Sequence, residues 1–353
     1  MLYKHLIRPW LFAKFEDPEE AHEYVLSLLE TAQAVPGGLK LLHSLFGIED
    51  QRLETRVGHV TFPNPIGLAA GFDKDARVVE ALSAMGFGFI TTGTFTPRPQ
   101  LGHPRPRIWR DEANQVIYNR MGFPNMGVIA GSKRIERARL TQRIKIPIGA
   151  SIGMQKDTPE AKAADDYVEC LRHLHGLIDY GEVNVSSPNT EGLRKLQRAL
   201  ALQQILRALS AYLDDWYLDR MVRIRMPDIW VKVAPDMDNV FLRDVVELCV
   251  EEGVCALVAT NTTVSRRPGD PDHPGGKSGK PLFPLALEKV QFIHEAAKGR
   301  LPIVAVGGID SPEKLLAMRS AGATLFQFYT GLIYKGPRLA RTLNEGYLRH
   351  LAV

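Results

Sequence analysis

From Pro65 onward the chain repeats one pattern, a short unbroken apolar run rich in Val, Ile, Ala and Phe that ends in glycine or a polar group. The runs are Pro65–Ala70, Gly88–Thr92, Pro147–Ile152, Glu182–Ser186, Ile229–Ala234, Cys255–Thr260, Pro302–Val306 and Thr324–Tyr329. Continuous apolar runs mark strands buried on both faces. Helical patterns between them, such as Asn239–Glu252 and Pro312–Ala321, predict parallel strands joined by right-handed crossovers. Eight such units predict a (β/α)8 TIM barrel. A doubly wound open sheet is the alternative, but no G-x-G-x-x-G follows the first run and the count favours closure.

Residues 1–50 read as a helical extension, and 51–353 as the barrel. Asp17-Pro18-Glu19-Glu20 is a helix start, with Asp17 as N-cap, Pro18 in the first turn and Glu20 placed to reach back. Ala21, Tyr24, Val25, Leu28 and Leu29 recur at helical spacing; Leu39, Leu42, Leu45 and Phe46 make a second stripe after Pro36-Gly37-Gly38. Two short amphipathic helices are predicted, either capping the barrel bottom or forming an apolar slot for a lipid-like molecule. Before them, Met1 to Phe15 mixes Leu2, Leu6, Trp10 and Phe12 with Lys4, Arg8 and Lys14, which suits a bilayer interface.

Composition narrows the classes. Of 353 residues, 45% are hydrophobic and 24% charged, which describes a globular chain with one large domain and an appendage. The net charge of +4 is spread among acidic residues rather than gathered in blocks, which argues against nucleic acid as a partner. Cys170, Cys249 and Cys255 suit neither a disulfide framework nor a zinc site, and no metal is expected. With no run of ~18 apolar residues and no signal peptide, the chain is expected in the cytoplasm, peripheral to the membrane and monomeric.

Catalytic groups of such barrels sit at the C-terminal ends of the strands. Those ends carry Ala70-Gly71 with Lys74, then Thr94, Ser151, Asn184 with Ser187, Lys232, Thr260-Asn261-Thr262, Gly307-Gly308 and Tyr329-Thr330. Any one of these is also an ordinary turn or cap; all eight ends being small or polar points to a site. Gly307-Gly308 and Tyr329-Thr330-Gly331 offer backbone N–H groups where barrels hold a phosphate, which implies a phosphate-bearing cofactor. Lys232, on a strand predicted to be buried, requires an anionic or electron-accepting partner, or an internal salt bridge to a carboxylate such as Asp236. Ser187 presents a hydroxyl that moves a proton only with help, though Asn184 to Thr190 also reads as a simple turn.

Gly67 to Asp75, Gly93 to Gln100, Asn119 to Phe123, Asn184 to Asn189, Ala259 to Thr263 and Gly307-Gly308-Ile309 resemble, in order, the motifs of dihydroorotate dehydrogenases. Ser187 and the helical extension resemble the quinone-linked, membrane-associated class. The resemblance implies oxidation of (S)-dihydroorotate to orotate in pyrimidine synthesis, with FMN as cofactor and a quinone as acceptor. It gives Ser187 the role of base at C5, with Thr190 and a water near Phe123 as relay. It gives the substrate to Lys74, Asn119, Arg120, Met121, Gly122, Phe123, Asn184, Asn189, Asn261 and Thr262. It gives FMN to Ala69, Ala70, Gly71, Phe72, Asp73, Thr94, Ser151, Asn184, Lys232, Thr260, Gly279, Gly308, Tyr329 and Thr330, with Lys232 at the pyrimidine edge of the ring. His22 and Arg107 are the expected polar contacts of the quinone.

One departure stands out. Ser151 occupies a place where the family usually has an Asn that touches flavin and substrate, which predicts weaker binding or a hand-over to Asn184. The loop from Thr190 to Gln197 is expected to gate the site. The readings that compete are a related flavin barrel acting on a pyrimidine, such as a tRNA dihydrouridine synthase, which needs a cysteine donor, and a non-catalytic barrel on a membrane surface.

Overall fold

A computed structural model describes residues 2–220 and 226–351. Met1 of the predicted interfacial stretch falls outside them. The chain enters through a π-helical turn, Tyr3–Ile7, and three helices: α1 (Arg8–Lys14), α2 (Pro18–Ala34) and α3 (Gly38–Phe46). Asp17 caps α2 as expected, its carboxylate accepting the Glu19 N–H at 2.8 Å. Glu20 is exposed; the acid that matters is Glu19, which is buried.

A hairpin of β1 (Thr55–Val57) and β2 (Val60–Phe62) precedes the barrel. The remaining strands are β3 (Ile66–Leu68), β4 (Phe89–Phe95), β5 (Ile108–Asp111), β6 (Val116–Asn119), β7 (Ile148–Ile152), β8 (Tyr180–Asn184) and β9 (Asp228–Val233). After these come β10 (Ala256–Ala259), β11 (Gly276–Gly279), β12 (Ile303–Val306) and β13 (Leu325–Phe328). Eight of them close a parallel barrel in the order β3-β4-β7-β8-β9-β10-β12-β13, sealed by β13 against β3 with Phe326 opposite Ile66. All eight predicted runs are barrel strands. The fourth is shifted two residues back: it begins at Tyr180, paired with Asp228, and stops at Asn184, where the Ser186 N–H and hydroxyl bond to the Asn184 side chain and the chain leaves the ladder.

Inward and outward side chains alternate along each strand. Inward, Phe89, Tyr180 and Trp230 meet Phe62 of the hairpin with ring centroids 5.0, 6.4 and 6.1 Å away, so β1 and β2 plug the N-terminal end of the cylinder. Outward, Val183, Val231 and Leu257 pack on helices through Leu171, Leu209 and Val246. β11, β6 and β5 form a separate antiparallel sheet.

The helical extension lies at the C-terminal end of the barrel, not across its bottom. Leu26 and Leu29 of α2 are buried in the main core, Gln33 donates to the Arg77 carbonyl at 2.7 Å, and Arg77 pairs with Glu23 and Glu30 at 2.6 and 2.8 Å. The entry turn is tied to the chain's last helices by Tyr3 Oη donating to the Ile333 carbonyl at 2.7 Å and Arg8 to the Tyr334 carbonyl at 2.9 Å.

Candidate active site

The loops beyond the strand ends, with α1 to α3 and the β5, β6, β11 sheet, enclose a cavity of about 510 Å³, a volume typical of small-molecule sites. One end is apolar, walled by Trp10, Leu11, Val25, Leu28, Leu42 and Phe46. The other is a cluster of amides and hydroxyls. Asn184 closes β8 and donates to Thr94 Oγ1 at 3.1 Å. Its Oδ1 accepts from Ser186 Oγ at 3.2 Å and from Asn261 Nδ2 at 3.4 Å. Asn119 closes β6 and accepts from Asn189 Nδ2 at 2.9 Å. A buried amide group that spends only part of its hydrogen-bonding capacity is left to address a ligand. Asn189 Oδ1 is such an atom, buried without a partner among the described residues.

Ser187 lines this end and is 6% exposed; its Oγ accepts the Asn189 N–H at 3.2 Å, which orients the hydroxyl. Thr190 Oγ1, three residues on, is buried with no partner among the described residues. Lys74 also lines the cavity; burial pushes its ammonium below the ordinary lysine range, against the longer-range pull of Glu19, Glu23 and Asp75. Uncompensated cations of this kind call for an anion. Met121, Gly122, Phe123 and Thr262 complete the wall.

Ala69, Ala70, Gly71, Phe72, Thr94, Lys232, Thr260, Gly279, Gly308, Tyr329 and Thr330 all reach the same cavity. Gly279, Gly307 and Gly308 have φ of +100°, +135° and +67° and leave no room for side chains: a Cβ on Gly279 falls 2.2 Å from the Gln115 carbonyl, and one on Gly308 2.7 Å from Phe283 Cβ. Bare backbone therefore faces the cavity where the sequence placed a phosphate.

Four expectations are corrected. Ser151 is fully buried behind Thr94, its Oγ 3.0 Å from Thr94 Oγ1, and does not line the cavity; Asn184 addresses the same Thr94. Asp73 is a turn holder, its carboxylate accepting from the Arg77 and Val78 amides at 2.7 and 2.8 Å. Arg120 is exposed and outside the cavity wall. Arg107 makes a buried two-pronged pair with Glu19, at 2.9 and 2.6 Å, behind the site. Lys232 does line the cavity, and its internal salt bridge is to Glu182 at 3.3 Å; Asp236, the example carboxylate, pairs with Arg194 instead. His22 does reach the cavity. Its ring meets Phe72 edge-on at 5.0 Å, and Phe72 meets Tyr329 at 5.9 Å. Burial, and Lys74 beside it, hold His22 well below the ordinary imidazole range, so it is neutral at pH 7.

Sequence reasoning missed Ser278, which sits beside Gly279 and shares a 2.8 Å hydrogen bond with Thr330. It also missed Glu182 and Glu19. Ser278 carries a signal only once β11 is known to pair with β6.

The sequence model of a family described as dihydroorotate dehydrogenase matches residues 52–351. The chain is 42% identical over 360 residues to the dihydroorotate dehydrogenase (quinone) of Chloroflexus aurantiacus, covering 100% of this chain and 98% of the relative. It is 41% identical over 350 residues to the enzyme of the same name from Christiangramia forsetii, covering 98% and 99%. Its fold matches the crystal structure of DHODH from Eimeria tenella in complex with ferulenol with a TM-score of 0.87, at 33% identity over 98% of this chain and 95% of that one. A barrel ringed by amides, a hydroxyl and a buried ammonium, matched end to end by these relatives, belongs to the dihydroorotate dehydrogenase family.

Proposed function

We infer that the chain is a quinone-dependent dihydroorotate dehydrogenase, oxidising (S)-dihydroorotate to orotate in pyrimidine synthesis with FMN as the bound cofactor. The observation that carries the reading is that a single cavity joins the amide and hydroxyl cluster at the strand ends to the apolar slot between α1, α2 and α3. A polar, anionic pyrimidine fits one end and a quinone the other.

The donor set fits FMN. Gly279, Gly307, Gly308 and Thr330 supply a side-chain-free cradle for its phosphate, and Lys232 a cation for its ring. When bound, FMN supplies two-electron chemistry that links a hydride donor to a quinone. The protein supplies position and proton transfer. Lys74 takes the substrate carboxylate, a charge-assisted contact that offsets the cost of burying the ammonium. Asn119, Asn184, Asn189 and Asn261 address the ring amides with the donors and acceptors they leave open. Ser187 Oγ removes the proton at C5, and the Thr190 hydroxyl is the first acceptor on the way out. Neutral His22 offers a hydrogen bond at the inner end of the slot; Arg107 acts indirectly, by fixing Glu19 and so α2.

Among the described residues no cysteine stands at a strand end on this side: Cys170 and Cys249 are buried in helices and Cys255 precedes β10, at the plugged end. A cysteine-dependent pyrimidine reductase does not fit that placement. Purified protein should be yellow, be bleached by anaerobic dihydroorotate and recover its colour on addition of a soluble quinone. A colourless protein, or a flavin indifferent to dihydroorotate, rejects the assignment.

A further inference from the structure

Below the cavity, two charged side chains share the interior of the barrel. Glu182 lies on the inward face of β8 with Tyr180 and Asn184, and Lys232 on the inward face of β9 with Trp230. Lys232 Nζ is 3.3 Å from Glu182 Oε1; the two side chains are 6% and 0% exposed. The lysine opens on the cavity and the glutamate does not. Glu182 Oε2 is buried with no hydrogen-bond partner among the described residues. An ion pair this deep stabilises less than a well-packed apolar pair of the same volume, and a half-satisfied carboxylate less still. Thr91, Gln327, Val258 and Val304, also buried in the barrel interior, are apolar or neutral, and a second inward carboxylate, Asp228, lies at the plugged end, paired with His59. The fold itself therefore gives no reason for a carboxylate here.

The site does give one. An ammonium alone beside an electron-accepting ring favours the reduced, negatively charged ring and holds its electrons. In a low-dielectric interior a carboxylate behind that ammonium cancels much of its pull. We propose that Glu182 is a positioning residue which, through Lys232, holds down the reduction potential of the bound flavin, so that electrons taken from dihydroorotate are readily released to the quinone. This rests on the flavin reading given above and deepens it: Lys232 sets how the ring is held, and Glu182 sets how strongly it keeps electrons.

The test is a dye-coupled potential titration of the intact holoenzyme, wild type against Glu182→Gln and Glu182→Asp, with stopped-flow rates of bleaching by dihydroorotate and of reoxidation by a soluble quinone. Removing the negative charge should raise the potential, favouring the reduced flavin about tenfold, which is ~30 mV for a two-electron couple. Reoxidation should slow, while bleaching is unchanged or quicker. Glu182→Asp keeps the charge but withdraws it by one methylene, so its potential should fall between the other two; it also serves if Glu182→Gln does not fold. Bound flavin whose potential is the same in wild type and in the variants that fold overturns the proposal alone. Wild-type protein that binds no flavin overturns both the proposal and the reading beneath it.

Discussion

Ser187 and Lys74 face the same cavity with opposite needs, one to lose a proton cheaply and the other to keep one. Ser187→Ala should leave flavin binding intact and slow bleaching by dihydroorotate roughly 10²- to 10⁴-fold, the usual contribution of a positioned base, read by stopped-flow absorbance. Lys74→Met should weaken orotate binding by about 1.5–3 kcal/mol, the range of hydrogen bonds to charged groups. The lysine's pH signature has a definite sign. Burial makes its free ammonium titrate below the ordinary lysine range. Orotate affinity is therefore full at lower pH and declines as pH rises through that depressed value, and the decline disappears in Lys74→Met. Ser151→Asn should leave orotate affinity unchanged, because position 151 is buried behind Thr94 and the contact falls to Asn184; tighter binding would return it to position 151. Ser187, Asn184, Asn189 and Asn261 stood out in the sequence because small polar groups ended apolar runs, with Lys74 just past the first such end, whereas Asn119 came only through the family resemblance; the structure brings all of them to one cavity. Ser151 misled because position in a motif does not say whether a shorter side chain still reaches past Thr94.

Among the elements, α2 is held at its start by one buried ion pair, Glu19 with Arg107. Burial raises the Glu19 carboxyl, but Arg107 and Arg105 outweigh it and hold it below the usual carboxylate range. A depressed carboxyl contributes stability that is present above its unfolded value of about 4.5 and is lost as pH falls through the folded one. Amide exchange along α2 should therefore quicken in acid before the barrel unfolds. Glu19→Gln at neutral pH should loosen α2 by roughly 3–5 kcal/mol, because it leaves Arg107 buried and unpaired. This pair joins residues 88 positions apart, and no local pattern announces it. The loop from Thr190 to Gln197 is pinned by Arg194, which donates to the Ser186 and Thr262 carbonyls at 3.1 Å each and pairs with Asp236 at 3.0 Å. As a gate next to the cavity, the segment should be protected from proteolysis by orotate; equal cleavage with and without orotate would remove that role.

For the molecule as a whole, the barrel could be read from eight apolar runs because parallel strands buried on both faces have no other sequence signature. The hairpin plug and the β5, β6, β11 sheet could not. Their strands are three or four residues long, and β11 pairs with β6 more than 150 positions away. The amphipathic character of the extension was legible, but its placement was not, since an apolar stripe says that something is covered and not what. No described helix is long and apolar enough to cross a membrane. Leu2, Leu6, Trp10, Leu41 and Leu45 nonetheless stand 48–64% exposed around the apolar mouth, which suits a bilayer surface. Leu41→Glu with Leu45→Glu should reduce binding to anionic vesicles, measured by co-sedimentation, while turnover with a water-soluble quinone persists.

Phe62, wedged against Phe89, Tyr180 and Trp230, makes the cylinder a cup and not a pipe. Whatever reaches the reacting atoms must come over the rim, and so must whatever leaves. One rim thus has to serve a polar anion, an apolar electron acceptor and a departing proton.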